Sequence, residues 1–334
     1  MSASSGPARW DGQRPRVAVI HDYLEIAETS ADWAPIRAIA DLHFFSQPFR
    51  DDDAVVADLA DFDVISAMRE RLPLTASLMD RLPRLRLFVA TSQANRTIDF
   101  AAAAERGIEV AATADGSFAR VATAELTWGL ILAATRGIVI EDRAIRSGRW
   151  QTAAYPALYG RTIGILGLGG TGRYIARFAR DFGMRVLAYS PHLRDMDAVE
   201  SGAQRVSLDE LLEHSDVVSV HLVLSDSTRH IIDARGLARM KPNAVLVNTS
   251  RGALIDESAL VAALREKRIA GAALDVFSTE PLPDGHPFAE LDNVVLSPHS
   301  GGFTQETYGE WYQGSADAIL AFLEGRDVPY HHRR

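Results

Sequence analysis

The stretch TIGILGLGGTGRYIARFARDFG, residues 162–183, decides the fold of this chain. It joins an apolar run, typical of a buried strand, to an amphipathic helical run, with Gly167, Gly169 and Gly172 between them in the spacing G-x-G-x-x-G. In this setting Gly167 permits a tight turn, Gly169 lets a phosphate group approach the backbone, and Gly172 lets the helix pack closely on the strand. The stretch therefore predicts a strand, a turn and a helix that bind a dinucleotide.

The first turn of that helix offers the contacts that a phosphate group needs. Its backbone N–H groups have no partner within the helix, and the helix dipole gives this end a partial positive charge. A glycine-rich turn that binds no ligand is the alternative interpretation. The residues predicted to contact the cofactor here are Gly167, Gly169, Gly170, Thr171 and Gly172.

Short apolar runs alternate with helical runs on both sides of this stretch, which predicts parallel sheets covered by helices on both faces. The other predicted strands are RVAVIHDY (16–23), FDVISAM (62–68), LRLFVATS (85–92), IEVAAT (108–113), RVLAYS, DVVSVHL, AVLVNTS, AGAALDV and NVVLSPH. Long helices are predicted over 118–137 and 304–324. Because no strand follows the last helix, we expect it to return to the first unit. The predicted domains are thus a discontinuous substrate domain, 1–113 plus 304–334, and a dinucleotide-binding domain, 114–303.

The composition excludes several classes of function. The 334 residues carry a net charge of −9, so the chain lacks the excess of positive charge that is typical of proteins that bind nucleic acid or anionic lipid. There is no cysteine, which removes disulfides, cysteine-ligated zinc and a thiol nucleophile, and fits a reducing compartment. The N-terminus lacks the apolar core of a signal peptide, and Glu125 and Arg136 interrupt the most apolar window, residues 121–140. We therefore expect a soluble, cytoplasmic protein that binds neither nucleic acid nor membrane.

The strand after the glycine turn ends without the acidic residue that holds the adenosine ribose in many dinucleotide sites. RVLAYS ends at Ser190, whose hydroxyl could donate to a 2′-phosphate, and Arg194 or His192 could pair with that phosphate. Asp195 stands next to Arg194 and is predicted to offset its charge. A relaxed site that accepts NAD(H) without an acidic residue is the alternative. NADP and NAD both stay open as the cofactor, with NADP favoured.

Three ionisable residues stand at predicted strand ends of the second unit, on the edge where ligands of open α/β sheets bind. They are Arg251 in VNTSRGALID, Glu280 in ALDVFSTEPLP and His299 in VVLSPHSGG. Reduction of a ketone by hydride requires a proton on its oxygen, for which histidine is the natural donor near neutral pH. A carboxylate hydrogen-bonded to the other ring nitrogen of the histidine would fix its tautomer. An arginine can bind a 2-oxo acid through two parallel hydrogen bonds from its planar guanidinium. Singly, each residue has a structural alternative: a surface charge, a turn residue before Pro281, and a packed loop histidine.

These segments together resemble the D-isomer-specific 2-hydroxyacid dehydrogenase family. TIGILGLGGTG, HLVLSDSTRHIID, MKPNAVLVNTSRGALIDESALVAAL, GAALDVFSTEPLP and NVVLSPHSGG match its signature blocks in order, most densely over 85–310. The resemblance implies that Arg251, Glu280 and His299 are catalytic and that Asp275 lies on the nicotinamide side. It also implies two Rossmann- or flavodoxin-like doubly wound parallel-sheet α/β domains, a cleft between them that closes on a hinge, and a homodimer through the cofactor domains.

The same resemblance assigns cofactor contacts to His221 and Thr249, although HLVLS replaces the commoner HxPxT block at the first of them. Family members that oxidise formate have Gln where Glu280 stands, so that branch is disfavoured. The implied activity is hydride transfer between NAD(P)(H) and a 2-oxo acid or D-2-hydroxy acid. Reduction of a glyoxylate- or hydroxypyruvate-like 2-oxo acid is the favoured direction.

The substrate loop departs from the family pattern. Where many members have a glycine-containing loop, this chain reads ATSQANRTID. The substrate carboxylate is assigned there to Ser92, Gln93 and Ala94. Asn95 and Asp99 fit the family pattern but suit a helix entrance equally well.

Two other functions on the same scaffold stay open: a dinucleotide-sensing binding protein without turnover, and a phosphite-type oxidoreductase with a small cationic pocket. No metal site is expected, because the histidines do not cluster at metal-ligand spacing and His331 and His332 are interpreted as a terminal tail. No serine stands in a G-x-S-x-G elbow, which disfavours a hydrolase. Several aromatic side chains could wall a substrate pocket or pack in an interface: Tyr155, Tyr159, Tyr308, Trp311 and Tyr312.

Overall fold

A computed structural model of the chain describes residues 13–91, 95, 97–114 and 118–329. The chain divides into two units, Met1–Ala119 with Thr304–Arg334, and Arg120–Phe303. Each unit contains one sheet, and all the strand pairs of the described residues are parallel. The α/β class with two doubly wound parallel sheets is therefore confirmed.

The first unit contains the strands β1 (Arg16–Ile20), β2 (Asp41–Phe45), β3 (Val64–Ala67), β4 (Leu87–Ala90) and β5 (Glu109–Ala112). They pair in the flavodoxin-like order β2-β1-β3-β4-β5, so the chain reverses its course across the sheet between β1 and β3. The inner strands β3 and β4 are buried along their whole length because both faces of the sheet are covered. The edge strand β2 was not predicted, since its half-exposed sequence DLHFF lacks the continuous apolar run of the inner strands.

Five helices connect these strands: α1 (Ala27–Ser30), α2 (Ala34–Ile39), α3 (Asp52–Leu59), α4 (Ala76–Asp80) and α5 (Phe100–Glu105). The side chains of Asp51, Thr75 and Asp99 cap α3, α4 and α5 by accepting backbone N–H groups of the first turn. Asp99 is thus a helix cap, one of its two predicted roles. The described part of the first unit has a core that includes Leu59, Phe62, Ile65, Leu78 and Phe88.

Two helices follow, α6 (Ala119–Thr135) and α7 (Ile138–Arg146). The predicted helix over 118–137 is confirmed to within two residues at each end. It stops because Gly137 adopts a left-handed φ of +61°, and α7, which was not predicted, is bent by 60° from α6. The ring of Tyr155 packs where a side chain on Gly137 would lie, since a Cβ there would be 2.1 Å from Tyr155 Cζ. Among the described residues no single helix is long and apolar enough to cross a membrane; α6 and α7 meet that test only as a bent pair.

The rest of the second unit alternates strands and helices. In chain order these are β6 (Thr162–Leu166), α8 (Gly170–Asp181), β7 (Arg185–Tyr189), α9 (Asp195–Glu200), β8 (Gln204–Arg205), α10 (Leu208–His214), β9 (Val217–Val220), α11 (Ala234–Arg239), β10 (Val245–Asn248), α12 (Glu257–Arg265), β11 (Gly271–Leu274) and β12 (Val294–Leu296), with 3₁₀ turns at Gly252–Leu254 and Pro287–Glu290. Ser207, which forms a capping box with Glu210, caps α10, and the side chain of Asp256 caps α12. β8 was not predicted, because a strand of two residues is too short to show a hydrophobic alternation.

The seven strands pair in the order β12-β11-β10-β9-β6-β7-β8. The chain therefore reverses its course between β6 and β9, and ligands of such sheets bind outside the carboxyl ends of the strands at this point. Gly167 follows β6 and His221 follows β9, so both stand at this switch point. The predicted site residues Arg251, Asp275 and His299 lie beyond the carboxyl ends of β10, β11 and β12.

The last helix, α13 (Gln305–Leu323), belongs to the first unit, where it packs on α1, α2 and β4. Trp311 and Tyr312 are fully buried and Tyr308 nearly so. The Tyr312 hydroxyl donates to the Asp22 carboxylate at 3.2 Å. These aromatic residues therefore pack within the first unit.

Candidate active site

Two glycines of the turn after β6, Gly167 and Gly172, have a steric reason. Gly167 has a φ of +103°, and a Cβ on it would lie 2.7 Å from the carbonyl oxygen of His221. A Cβ on Gly172 would lie 2.1 Å from the carbonyl oxygen of Gly167, so only glycine lets α8 approach the turn. The turn is tied to the neighbouring strand, because Gly167 donates to the Tyr189 carbonyl at 2.8 Å.

The start of α8 is open to a ligand. Gly169 is the N-cap residue and supplies no side chain to the first turn, which includes Gly170 and Thr171. A Cβ on Gly169 would meet no atom within 4 Å, so the backbone here borders open space that a side chain would otherwise fill. Free N–H groups at a positive helix end beside such a space suit a pyrophosphate. The residues present therefore fit a dinucleotide cofactor.

Ser190 and Arg194, the residues assigned to the adenosine end, both have partners in this structure. Ser190 Oγ accepts the Leu168 N–H at 3.1 Å, which holds the glycine turn and leaves the hydroxyl proton to donate. The Arg194 guanidinium forms two hydrogen bonds of 2.8 Å with the Asp197 carboxylate. The prediction that Asp195 offsets Arg194 was wrong: Asp195 pairs with Arg205 at 3.0 Å.

His221 and Thr249 lie at the carboxyl ends of β9 and β10. His221 Nε2 is 2.8 Å from Ser219 Oγ, and burial lowers the pKa of His221 to about 4, so its ring is neutral at pH 7. Thr249 is buried, and its hydroxyl lies 2.8 Å from that of Thr127 on α6. His221 thus stands beside the glycine turn, whereas Thr249 lies beside α6, and contact of either residue with a cofactor stays a prediction.

Glu280 and His299 form a direct pair. His299 Nδ1 lies 2.5 Å from Glu280 Oε2, and the other oxygen, Oε1, accepts the Phe277 N–H at 2.9 Å. Burial alone would raise the pKa of Glu280, but the hydrogen bond and charge of His299, the Phe277 N–H and the charge of Arg251 outweigh it and hold the pKa below its ordinary value of 4.5. Glu280 is therefore ionised at neutral pH, and the pairing leaves Nε2 of His299 as the nitrogen that can meet a substrate.

His299 has a left-handed backbone, with a φ of +54°. Such conformations are costly for residues other than glycine and recur at functional sites. Asp275 holds this backbone: its carboxylate is completely buried and accepts the N–H groups of Ser300 at 2.8 Å and Gly301 at 2.9 Å. Phe303 stacks on the His299 ring with centroids 6.3 Å apart. In this structure Asp275 braces the His299 loop, and its position beside a nicotinamide stays a prediction.

Arg251 is fixed by the turn that follows β10. Asn248 Nδ2 donates to the Arg251 carbonyl at 2.9 Å, and the Ser250 N–H donates to Asn248 Oδ1 at 3.0 Å. The guanidinium donates through Nη1 to the Ser250 carbonyl at 2.7 Å. Among the described residues no carboxylate lies within 4 Å of it, so most of its N–H donors remain for a substrate. Its charge reaches Glu280, which brings all three predicted catalytic residues into one electrostatic cluster.

Sequence reasoning overlooked the side chains that hold this cluster in place. Asn248 and Ser250 shape the Arg251 turn, and Ser250 Oγ also donates to the Leu222 carbonyl at 2.7 Å, tying the ends of β10 and β9 together. The signal was present, because an Asn at a strand end two residues before a Ser is typical of a side-chain-to-backbone turn. Asp197 had no such signal beyond its spacing of three residues from Arg194.

Several other residues singled out in the sequence are not part of this cluster in the described structure. Ser92, Gln93 and Ala94 lie outside the described residues, as do His331 and His332. Asn95 is buried and donates to the Arg69 carbonyl at 2.9 Å, which joins the loops that follow β4 and β3. Within the described ranges, no group of three or more His, Asp or Glu side chains is arranged to hold a metal ion.

The chain resembles proteins of known family and structure. Residues 128–301 match the family model described as D-isomer specific 2-hydroxyacid dehydrogenase, NAD binding domain. A glyoxylate reductase of Thermofilum pendens is 38% identical over 311 residues, covering 91% of this chain and 86% of that protein. A glyoxylate reductase of Korarchaeum cryptofilum is 43% identical over 211 residues, covering 61% of this chain and 64% of that protein, just under two thirds of its length. A solved phosphoglycerate oxidoreductase from Vibrio cholerae superposes with a TM-score of 0.86 at 32% identity, covering 93% of this chain and 99% of that one.

Proposed function

Because the chain belongs to the D-isomer specific 2-hydroxyacid dehydrogenase family, we propose that it transfers hydride between NAD(P)(H) and a small 2-oxo acid or D-2-hydroxy acid, acting as a 2-oxo acid reductase. The observation that carries the proposal is the 2.5 Å His299–Glu280 pair, whose carboxylate also feels the charge of Arg251. The glyoxylate reductases among the relatives support a small substrate such as glyoxylate.

The three side chains divide the work of reduction. A reduced nicotinamide, when bound, supplies hydride to the carbonyl carbon of the substrate. Arg251 binds the 2-oxo acid through its planar fork and draws charge from the carbonyl group. His299 gives the proton on Nε2 to the carbonyl oxygen, and in the oxidative direction the same nitrogen accepts it. Glu280 holds the ring in the required orientation through Nδ1 and balances the charge of the imidazolium.

The second unit is the proposed cofactor domain and the first unit the proposed substrate domain. The glycine turn would hold the pyrophosphate, and Ser190, Arg194 and His221 the parts of the cofactor nearer the strand ends. The assignment of the substrate carboxylate to the loop at 92–94 rests on the sequence alone.

One of the two rival functions is disfavoured by the same cluster. A dinucleotide sensor without turnover would not require a histidine paired with an ionised carboxylate beside a cation, yet all three are present. A phosphite oxidoreductase stays a rival that a direct assay separates.

The first test is the initial rate of NADPH and NADH consumption with glyoxylate, hydroxypyruvate, pyruvate and phenylpyruvate. We expect turnover with glyoxylate, with hydroxypyruvate or with both. Phosphite is assayed in the oxidative direction with NADP⁺ and NAD⁺. Binding of both cofactors without turnover of any substrate would favour the dinucleotide sensor. Oxidation of phosphite without turnover of any oxo acid would favour the phosphite oxidoreductase.

Asp197 should weaken any preference for NADPH, because it already neutralises the arginine proposed to bind the 2′-phosphate. Arg173 also lies 3.8 Å from this carboxylate. We expect Asp197→Asn to raise the NADPH-to-NADH ratio of kcat/KM roughly three- to tenfold at low ionic strength, with a smaller effect in salt. Asp195→Asn is the matched control, since its partner is Arg205. An equal change in both variants would contradict the role of Asp197.

We propose that a second copy of this chain covers part of the second unit. Five large apolar side chains of that unit, each more than 40% exposed, support an interface: Ile138, Ile145, Trp150, Tyr159 and Phe182. They lie on α7, in the segment that follows it and at the end of α8, and a second copy packed there would remove their apolar surface from water. Sedimentation of the intact chain tests the proposal, and a monomer at all concentrations would contradict it. A cytoplasmic location stays a prediction from the absence of cysteine.

A further inference from the structure

The first turn of α8 has an arginine lying across it. A Cβ built on Gly170 would be 2.9 Å from Arg120 Cδ, 3.3 Å from Nε and 3.6 Å from Cζ. The side chain of Arg120, from the first turn of α6, therefore packs directly on the Gly170 backbone. Glycine at position 170 leaves free the space that this side chain occupies.

This arrangement places positive charge against positive charge. The start of α8 is the positive end of a 12-residue helix, and the helix has no side-chain cap and no acidic residue in its first turn. Arg120 is exposed, and within the described ranges no carboxylate lies within 4 Å of its guanidinium. Among the described residues nothing offsets this charge, so the contact as the structure describes it is electrostatically unfavourable.

An anion bound at this end of α8 would turn the repulsion of Arg120 into an attraction, because both the guanidinium and the helix end would then face a negative charge. Gly169, one residue before Gly170, borders open space, so an anion can reach the same N–H groups that Arg120 overhangs. A guanidinium and helix N–H groups are both strong donors to phosphate oxygens.

We infer that Arg120 is a ligand of the cofactor's pyrophosphate, which its guanidinium binds together with the N–H groups of the first turn of α8. The inference rests on the proposed function, because it takes the glycine turn as a dinucleotide site. The pyrophosphate is common to NAD and NADP. Arg120 therefore raises the affinity for both cofactors alike, whereas Arg194 and Asp197 distinguish between them.

Calorimetric titration with ADP, AMP, NADH and NADPH tests this role without requiring turnover. We expect Arg120→Gln to weaken the binding of ADP, NADH and NADPH roughly five- to twentyfold, with a smaller loss for AMP, which carries a single phosphate. Arg120→Lys should recover part of the affinity, because it restores the charge but not the planar fork. Arg136→Gln, which removes an exposed arginine just beyond the other end of α6, is the matched control and should change affinity less than about twofold.

The melting temperature separates a ligand role from a structural one. Without nucleotide, Arg120→Gln should melt at the wild-type temperature or above it, because a repulsive contact is removed; a structural arginine would lower it. With ADP, the variant should gain less stability than the wild type. Wild-type binding of ADP by Arg120→Gln would overturn the inference and leave the dinucleotide site intact. Failure of the wild type itself to bind ADP and NADH would instead overturn the proposed cofactor site, and this inference with it.

Discussion

Replacing His299 with asparagine should lower kcat for 2-oxo acid reduction by about 10²–10⁴-fold while NADH and NADPH still bind. The imidazole is the proposed proton donor, and the glycine turn that would hold the cofactor follows β6, on a different strand. Asparagine suits the test because His299 has a φ of +54°, a region that asparagine tolerates better than alanine does. Stopped-flow and steady-state rates, together with cofactor titration, measure the two effects separately. Turnover near the wild-type level with normal cofactor binding would remove His299 from the mechanism.

Glu280→Gln is the companion variant, and its signature is a changed pH profile. The lowered pKa of Glu280 keeps its carboxylate ionised down to below pH 4.5, so the wild type retains the charge that balances protonated His299. An amide at this position keeps a hydrogen-bonding group but loses the charge. The wild-type rate should therefore fall at acid pH only when Glu280 becomes protonated, below pH 4.5, whereas the variant, which has no carboxylate to protonate, should lack this acid limb. Superimposable profiles would mean that Glu280 acts only as a spacer.

The glycine turn could be predicted from sequence because Gly167 and Gly172 each meet a backbone demand of the turn, whereas Gly169 borders open space. The φ of +103° at Gly167 and the 2.1 Å separation at Gly172 involve residues close in sequence, where spacing alone sets the geometry. The carboxyl ends of parallel strands meet at one edge of the sheet, which is why Arg251, Glu280 and His299 could be grouped from the sequence.

The partners of the charged residues could not be predicted in this way. Arg194 precedes α9, and Asp197 lies three residues along on the side facing back to it, whereas the adjacent Asp195 is directed toward Arg205 on β8. Adjacency in sequence was therefore the wrong criterion for choosing the carboxylate that pairs with Arg194. The hydrogen bonds between Asp275 and the His299 loop could not be predicted either, because they depend on the pairing of β11 with β12. This pairing brings the Asp275 carboxylate within hydrogen-bonding distance of the Ser300 N–H.

Gly252 shows how closely the catalytic cluster depends on backbone packing. It follows Arg251, and a Cβ on it would lie 2.1 Å from the Phe277 carbonyl carbon, 2.2 Å from its oxygen and 2.5 Å from the Ser278 nitrogen. All three are backbone atoms, so no side-chain rotation can relieve the clash. The N–H of Phe277 also donates to Glu280 at 2.9 Å, so the displaced segment is the one that holds the carboxylate.

Gly252→Ala should therefore lower kcat/KM for 2-oxo acids by about 10²-fold, the loss typical of a displacement near 1 Å in a catalytic group. The added methyl group forces the exits of β10 and β11 apart, which separates Arg251 from the Glu280–His299 pair. NADH binding should change much less, because the glycine turn follows β6, two strands away from β10 in the sheet. Gly129→Ala is the matched control, since its methyl group would meet no atom within 4 Å. Circular dichroism must show that both variants are folded, and an undiminished rate for folded Gly252→Ala would mean that the spacing of Arg251 and Glu280 does not limit catalysis.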